Sequence, residues 1–154
     1  MAKRPQAPEK TLVRDAQALV GACAGWASRL AARRITNFLE QHLQGCGLSL
    51  AQFGLMAQIA AAPDDTFGAL AERTGLDQST LSRNLRGLEA AGLVEIAIAA
   101  DDQRRRAVWL TEKGARQLEG ALPAMETAQA ALARRLDPDL ALNLAAASEA
   151  LTRK

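Results

Sequence analysis

Leu70-Ala71-Glu72-Arg73-Thr74-Gly75-Leu76-Asp77-Gln78-Ser79-Thr80-Leu81-Ser82-Arg83-Asn84-Leu85-Arg86-Gly87-Leu88 is the stretch that decides the fold. Two helices crossing at roughly a right angle need a small residue at the crossing, a residue tolerant of positive φ in the turn, and an apolar residue that locks the second helix onto the first. Ala71, Gly75 and Leu81 supply these in turn. Their separation, four residues and then six, is that of the DNA-binding helix-turn-helix. Asp77 caps the second helix, which runs from about Gln78 to Ala91, and on it Leu81, Leu85 and Leu88 share one side and must point inward. Ser79, Arg83 and Arg86 lie opposite, with Thr80 and Ser82 on the flanks. Short hydroxyls with arginines form a face suited to phosphates and guanine edges. Alone, it would equally describe an amphipathic helix with a solvated polar side.

Downstream the period changes, which favours the first reading. Gly92 ends the helix, and Leu93–Ala99 carries Val94, Ile96 and Ile98 in strand-like alternation. Asp101–Arg105 reads as a charged turn, and Ala107–Leu110 as a short strand pairing back. A basic hairpin tip beside a recognition helix reaches phosphates or the narrow minor groove. Arg104 and Arg105 are its DNA-contact candidates, and Asp102 would fix the Arg104 rotamer through a charged hydrogen bond. Thr111 then opens a fifth helix reaching about Leu136, with Pro123 as a kink or break, and Asp137-Pro138 opens a sixth ending at Leu151.

Upstream, Phe67–Thr74 reads as the first helix of the pair, preceded by a break at Pro63-Asp64-Asp65. Ser49 caps a helix over Leu50–Ala61, with Phe53, Met56, Ala57 and Ala60 facing its core. Before it, Thr11–Gln44 reads as one long helix, with a bend before Ile35, stopped by Gly45 and Gly47. Its apolar stripe runs through Leu12, Ala16, Leu19, Cys23, Trp26 and Leu30.

The expected architecture is mainly α with a small β-hairpin wing. It divides into a disordered basic tail (1–10), an N-terminal helical dimerisation segment (11–48), a winged helix-turn-helix DNA-binding domain (49–114) and a C-terminal helical dimerisation segment (115–154).

Composition narrows the function. A chain of 154 residues, 49% of them hydrophobic, suffices for one domain-sized core. Net charge is only +2, so the clustering at Arg104–Arg106 matters more than the total. No apolar run reaches the ~18 residues of a membrane span, and no signal-peptide pattern follows the basic start. A cytoplasmic protein is expected, with Cys23 and Cys46 reduced. One histidine, no tyrosine and no phosphate-cradling glycine motif lower the prospect of an enzyme.

Several segments together resemble the MarR family of winged-helix regulators. These are Leu70–Gly75, Ser79–Leu85, Leu88–Val94, the wing Asp102-Gln103-Arg104, and Leu110-Thr111-Glu112-Lys113-Gly114; Gly47-Leu48-Ser49 and Gln52-Phe53 also fit. The resemblance covers nearly the whole chain. It implies a homodimer formed by the N- and C-terminal helices, a recognition helix in the major groove of a pseudo-palindromic site, and Arg104 in the minor groove. It also implies, for many members, repression relieved by a small aromatic compound or by oxidation of a cysteine. The wing departs from the family pattern at Ala99 and Ala100, where an Asp and a Pro are common, and at Asp101, where an Arg is common.

Trp26, Arg29, Phe53 and Met56 are candidate lining for an effector pocket, the aromatic and thioether groups for stacking and the arginine for a carboxylate; taken singly, Trp26, Phe53 and Met56 are more often plain core residues. Cys23 lies close to where peroxide-sensing members of the family carry a reactive cysteine, but those use tyrosine hydroxyls that this chain lacks. A packed structural role for Cys23 is therefore set beside a redox role. His42 and Cys46 have a legal spacing for two metal ligands, without a third nearby. No metal and no cofactor is expected. The alternative to a DNA-binding regulator is a ligand- or protein-binding module that keeps the fold without using DNA.

Overall fold

The computed structural model describes residues 10–62, 66–99 and 102–151, with side chains described for all of these except 10, 98, 99 and 102–106. Among them, in chain order, stand α1 (Lys10–Ala22), α2 (Ala24–Leu43), α3 (Leu50–Ala61), α4 (Phe67–Thr74), α5 (Gln78–Ala90), β1 (Val94–Ala99), β2 (Asp102–Leu110), α6 (Glu112–Ala133) and α7 (Pro138–Ser148), the last running into a short 3-10 turn, Glu149–Leu151. The expected tail and the expected break at Pro63–Asp65 lie outside the described residues, apart from Lys10. The chain divides into two compact units between Asn37 and Phe38.

The first unit holds α1 and most of α2. The single long helix expected there is interrupted at Cys23, whose carbonyl accepts from the Ala27 N–H at 3.0 Å and so starts α2. Gly21 and Gly25 flank the interruption. Each costs a helix interior ~1 kcal/mol relative to alanine, which weakens continuity there. The apolar stripe forms no core among the described residues: Leu12, Leu19, Trp26 and Leu30 are all exposed.

The second unit carries the core. α3 contributes Phe53, Leu55, Met56 and Ile59, and packs against α4, α6 and β2. Ala60, expected to face the core, is exposed, and Ala57 is half-buried. The larger Leu55 and Ile59 take those places because they bury more apolar area. Ser49 caps α3 as expected. Its hydroxyl accepts from the Gln52 N–H, and the Gln52 side chain accepts in return from the Ser49 N–H. Glu40 Oε1 accepts from the Leu50 N–H at 2.8 Å, placing a carboxylate at the positive end of the helix.

β1 and β2 pair antiparallel, with Val94 opposite Leu110 and Ile96 opposite Val108. β2 is longer than the sequence suggested: Asp102–Arg106 belong to the strand and not to a turn. The register shifts between Ile98 and Ala99, so that Ala99 pairs with Asp102, and this irregularity absorbs the extra residues. α6 shows no break at Pro123, one of the two outcomes expected there, and ends at Ala133, short of the expected Leu136. Its buried residues, Leu118, Ala121, Met125 and Ala128, lie on the other side from the exposed Pro123. The bond that proline removes therefore faces water. α7 begins at Pro138 after the Asp137 cap, and none of its residues is buried.

Candidate nucleic-acid interface

The helix pair is built as its spacing requires. Thr66 caps α4 through its hydroxyl, which accepts from the Ala69 N–H at 3.2 Å. Gly75 ends α4 with φ of 65°, a left-handed conformation costly to any residue with a Cβ. Arg73 ties α4 to α3 by donating to the side-chain and backbone oxygens of Gln58. Leu81, Leu85 and Leu88 are fully buried. They fix which side of α5 is left outside.

That outer side is the one expected. Ser79, Arg83 and Arg86 are exposed, and Thr80 and Ser82 are half-buried. Arg83 and its neighbour Asn84 also border a recess of about 440 Å³ beside the start of α3, with Ser49, Gln52 and Gly87 on its walls. Arg83 and Arg86, three residues apart, stay on the same outer side of the helix.

The start of α5 carries a network that sequence reasoning reduced to a simple cap. Asp77 Oδ1 accepts from the Ser79 hydroxyl at 2.6 Å and from the Thr80 N–H at 2.9 Å, while Oδ2 accepts from the Thr80 hydroxyl at 2.8 Å. The Ser79 hydrogen bond, with those from Thr80, holds the Asp77 carboxyl well below the usual carboxylate range. The legible signal was an acid two and three residues ahead of two hydroxyls.

The far end of α5 is fastened to α6. The Thr111 hydroxyl donates to the Gly92 carbonyl at 2.7 Å and accepts from the Gly114 N–H at 2.9 Å. The Thr111 N–H donates to the Leu93 carbonyl at 3.1 Å, and Lys113 Nζ donates to the Ala91 carbonyl at 2.7 Å. These side chains are what the Thr-Glu-Lys-Gly segment supplies. Among the wing's described side chains, Trp109 Nε1 donates to Glu95 Oε2 across the hairpin at 3.1 Å. The side chains of Asp102, Arg104 and Arg105, and the Asp102–Arg104 contact, lie outside the described residues; their backbone is in β2.

The remaining candidates fall elsewhere. Phe53 and Met56, expected as pocket lining, are core residues, 8% and 0% exposed; their apolar bulk fills the interior. Trp26 and Arg29 sit on the exposed surface of α2 and border a shallow depression of about 60 Å³ with Leu30 and Arg33. Cys23 is exposed at the α1–α2 junction, so this chain alone does not supply the packing a structural cysteine would need. Cys46 is half-buried and unpaired. His42 donates from Nδ1 to the Phe38 carbonyl at 2.9 Å and its ring lies 4.8 Å from that of Phe38, over which Arg135 also stands. Among the described residues no three His, Cys, Asp or Glu side chains are grouped to hold a metal ion.

A helix-turn-helix whose second helix shows a hydroxyl and arginine face, followed by a two-stranded wing, defines a winged helix-turn-helix. Residues 47–105 match the model of the MarR family. The transcriptional regulator HosA of Escherichia coli O127:H6 is 38% identical over 76 residues, which are 49% of this chain and 56% of that protein. The HTH-type transcriptional repressor YetL of Bacillus subtilis is 28% identical over 93 residues, 59% of this chain and 56% of that one. The matched segment thus spans little more than half the length of these relatives. Among solved structures, the Mycobacterium tuberculosis transcriptional regulator MosR in complex with DNA superposes with a TM-score of 0.77 at 31% identity, covering 84% of this chain and 96% of that one. The chain belongs to the MarR family, a family of transcriptional regulators and not of enzymes.

Proposed function

We propose that this chain is a sequence-specific DNA-binding repressor that works as a homodimer in the cytoplasm. The observation that carries this reading is the α5 surface. Three leucines anchor one side completely, and Ser79, Arg83 and Arg86 are exposed on the other. With Thr80, Ser82, Arg104 and Arg105 they are the proposed DNA contacts, and Asp102 the support of the wing. The 31%-identical MosR was solved on DNA, and the Bacillus subtilis relative bears the name of a repressor.

Dimerisation is inferred from what the chain leaves uncovered. α7 presents Leu140 and Leu144 on one side and Leu142 on the other, all more than half exposed. Leucines exposed on two sides of one helix call for a covering surface. α1 likewise exposes Leu12, Val13, Leu19 and Val20. A second copy would cover these faces and set two recognition helices on half-sites about 34 Å apart. No helix among the described residues is long and apolar enough to cross a membrane.

Release by a small aromatic acid is the proposed regulation. Trp26 offers a ring face, and Arg29 a guanidinium one helical turn away. The exposure of Cys23 supports a second reading, in which oxidation of this thiol provides the signal.

Binding to genomic fragments, including the gene's own upstream region, across a salt series tests the main reading. Tight binding to particular fragments, weakening steeply with salt, is expected. Binding that does not distinguish fragments would favour a ligand- or protein-binding module built on the same fold.

A further inference from the structure

The hydrogen bonds at the start of α5 determine what that end of the helix is able to recognise. A carboxylate has no hydrogen to give, so in both hydroxyl contacts the hydrogen belongs to Ser79 and to Thr80. Ser79 Oγ stands 2.6 Å from Asp77 Oδ1, and Thr80 Oγ1 stands 2.8 Å from Asp77 Oδ2. Each hydroxyl owns one hydrogen, and that hydrogen is spoken for. What remains on the exposed Ser79 oxygen is acceptor capacity, beside a carboxylate that is itself acceptor-only.

The chemistry of the duplex divides sharply against such a surface. Phosphate oxygens only accept. In the major groove the guanine O6 and N7, the thymine O4 and the adenine N7 also only accept. The two donors there are the cytosine N4 and adenine N6 amino groups. A phosphate brought to Ser79 would meet lone pairs and the Asp77 charge.

We infer that Ser79 is a specificity-determining residue that accepts a hydrogen bond from the amino group of an adenine or cytosine, and that Asp77 is the positioning residue that enforces this polarity by holding the hydroxyl hydrogen. The inference rests on the DNA-binding reading above and deepens it. The helix-turn-helix places the first residues of α5 at base edges; the Asp77 network decides only which edges they accept. Asp77 stays ionised near neutral pH, as its low-lying carboxyl titration requires. The contacted strand must therefore present an amino base, and guanine or thymine at that position is disfavoured.

The test uses this chain in three forms: wild type, Ser79→Ala and Asp77→Gly. Asparagine would keep the capping oxygen that takes the Ser79 hydrogen, whereas glycine removes every side-chain acceptor and is still a tolerated helix cap, so Asp77→Gly should keep α5 while freeing the hydroxyl hydrogen. Binding-site selection with wild type and Ser79→Ala identifies the base pair whose preference changes. At that pair the exocyclic amino group is then removed, with purine in place of adenine or 2-pyrimidinone in place of cytosine. A parallel duplex carries a 7-deazapurine that lacks the N7 acceptor. The expected result is that amino-group removal weakens wild type about tenfold or more and leaves Ser79→Ala unchanged. Asp77→Gly should relax the preference between amino and keto bases.

Loss of wild-type binding on the 7-deaza duplex, with no loss on the amino-deleted one, would show Ser79 donating and overturn the assignment. So would a selection profile that Ser79→Ala leaves unaltered, which would place Ser79 on phosphate or off the DNA while the regulator reading stood. If wild type selects no site at all, the DNA-binding reading falls and this inference with it.

Discussion

Gly114 lies so close to the Leu93 carbonyl that a Cβ on residue 114 would overlap its oxygen. Leu93 is the residue at which the chain leaves α5 and enters the wing, and Gly114 is in the first turn of α6. The absent side chain lets these two backbones touch, and the Thr111 and Lys113 hydrogen bonds hold them there. Gly114→Ala is therefore expected to destabilise the fold by about 1–3 kcal/mol, the range for forcing extra atoms into a packed contact. A thermal melt should show the midpoint falling by several degrees. An unchanged midpoint would mean that α6 shifts freely away from the wing, and that the clasp is not rigid.

This contact shows where sequence reading stops. The spacing of Ala71, Gly75 and Leu81 and the leucine side of α5 were legible because both follow from helical period and a single turn conformation. The caps Ser49, Asp77 and Thr111 were legible because a short polar side chain before an apolar run has few other uses. The Gly114–Leu93 approach was not, since it joins residues far apart in the chain and a glycine carries no mark of what lies against it. The continuity of α6 through Pro123 was not legible for a related reason: local propensity ranks proline as a weak point, but which side of the helix meets water decides the outcome, and that is a property of the packed unit. The break at Cys23 does follow local propensity, at Gly21 and Gly25, which the regular apolar stripe outweighed. Phe53 and Met56 were ambiguous because a pocket wall and a core draw on the same residue types.

Arg83 and Arg104 should differ in how they contribute to binding. If Arg83 reads a base edge, Arg83→Ala costs about 1–3 kcal/mol on the cognate site and flattens the preference at one position. A loss uniform over all sequences, with a shallower salt slope, would instead assign Arg83 to phosphate. The recess that it shares with Ser49 and Gln52 makes this distinction worth measuring, since its side chain has room to turn away from the duplex. Arg104→Ala is expected to weaken binding most on sites with A·T-rich flanks, where the minor groove is narrow and negative. Equal loss on G·C-rich flanks would argue against minor-groove insertion. Fluorescence anisotropy on paired duplexes reads both.

The Asp77 network has a consequence in acid. The carboxyl is held below its ordinary value, first by the Ser79 hydroxyl and then by the Thr80 N–H and hydroxyl. A group whose folded-state pKa is depressed stabilises the native state throughout the range above its unfolded value, about 3.9 for Asp. That contribution fades only as pH falls through the lower, folded value. The Asp77 carboxyl carbon resonance should therefore stay at its ionised position when the pH is taken from neutrality to about the ordinary Asp value. In Ser79→Ala the titration should move up toward that ordinary value. A wild-type midpoint at the ordinary value would mean that the hydroxyls do not hold the carboxylate in solution.

α7 decides whether the chain acts alone. Leu140, Leu142 and Leu144 are exposed and no residue of the helix is buried; the proposed second copy would cover this apolar area. A dimer of this kind ties stability to concentration, because association withdraws the folded form from the unfolding equilibrium. The melting midpoint of the wild-type protein is expected to rise with protein concentration, and sedimentation should show a dimer. Leu142→Glu sets a charge into the covered face, where burial without a partner is costly. It should sediment as a monomer, lose the concentration dependence and bind an isolated half-site no more weakly than the two-fold operator. The α5 surface is untouched by this change, so retained half-site binding separates loss of the dimer from loss of the fold. A wild-type protein that sediments as a monomer at all concentrations would refute the homodimer, and a single recognition helix would then have to account for all operator affinity.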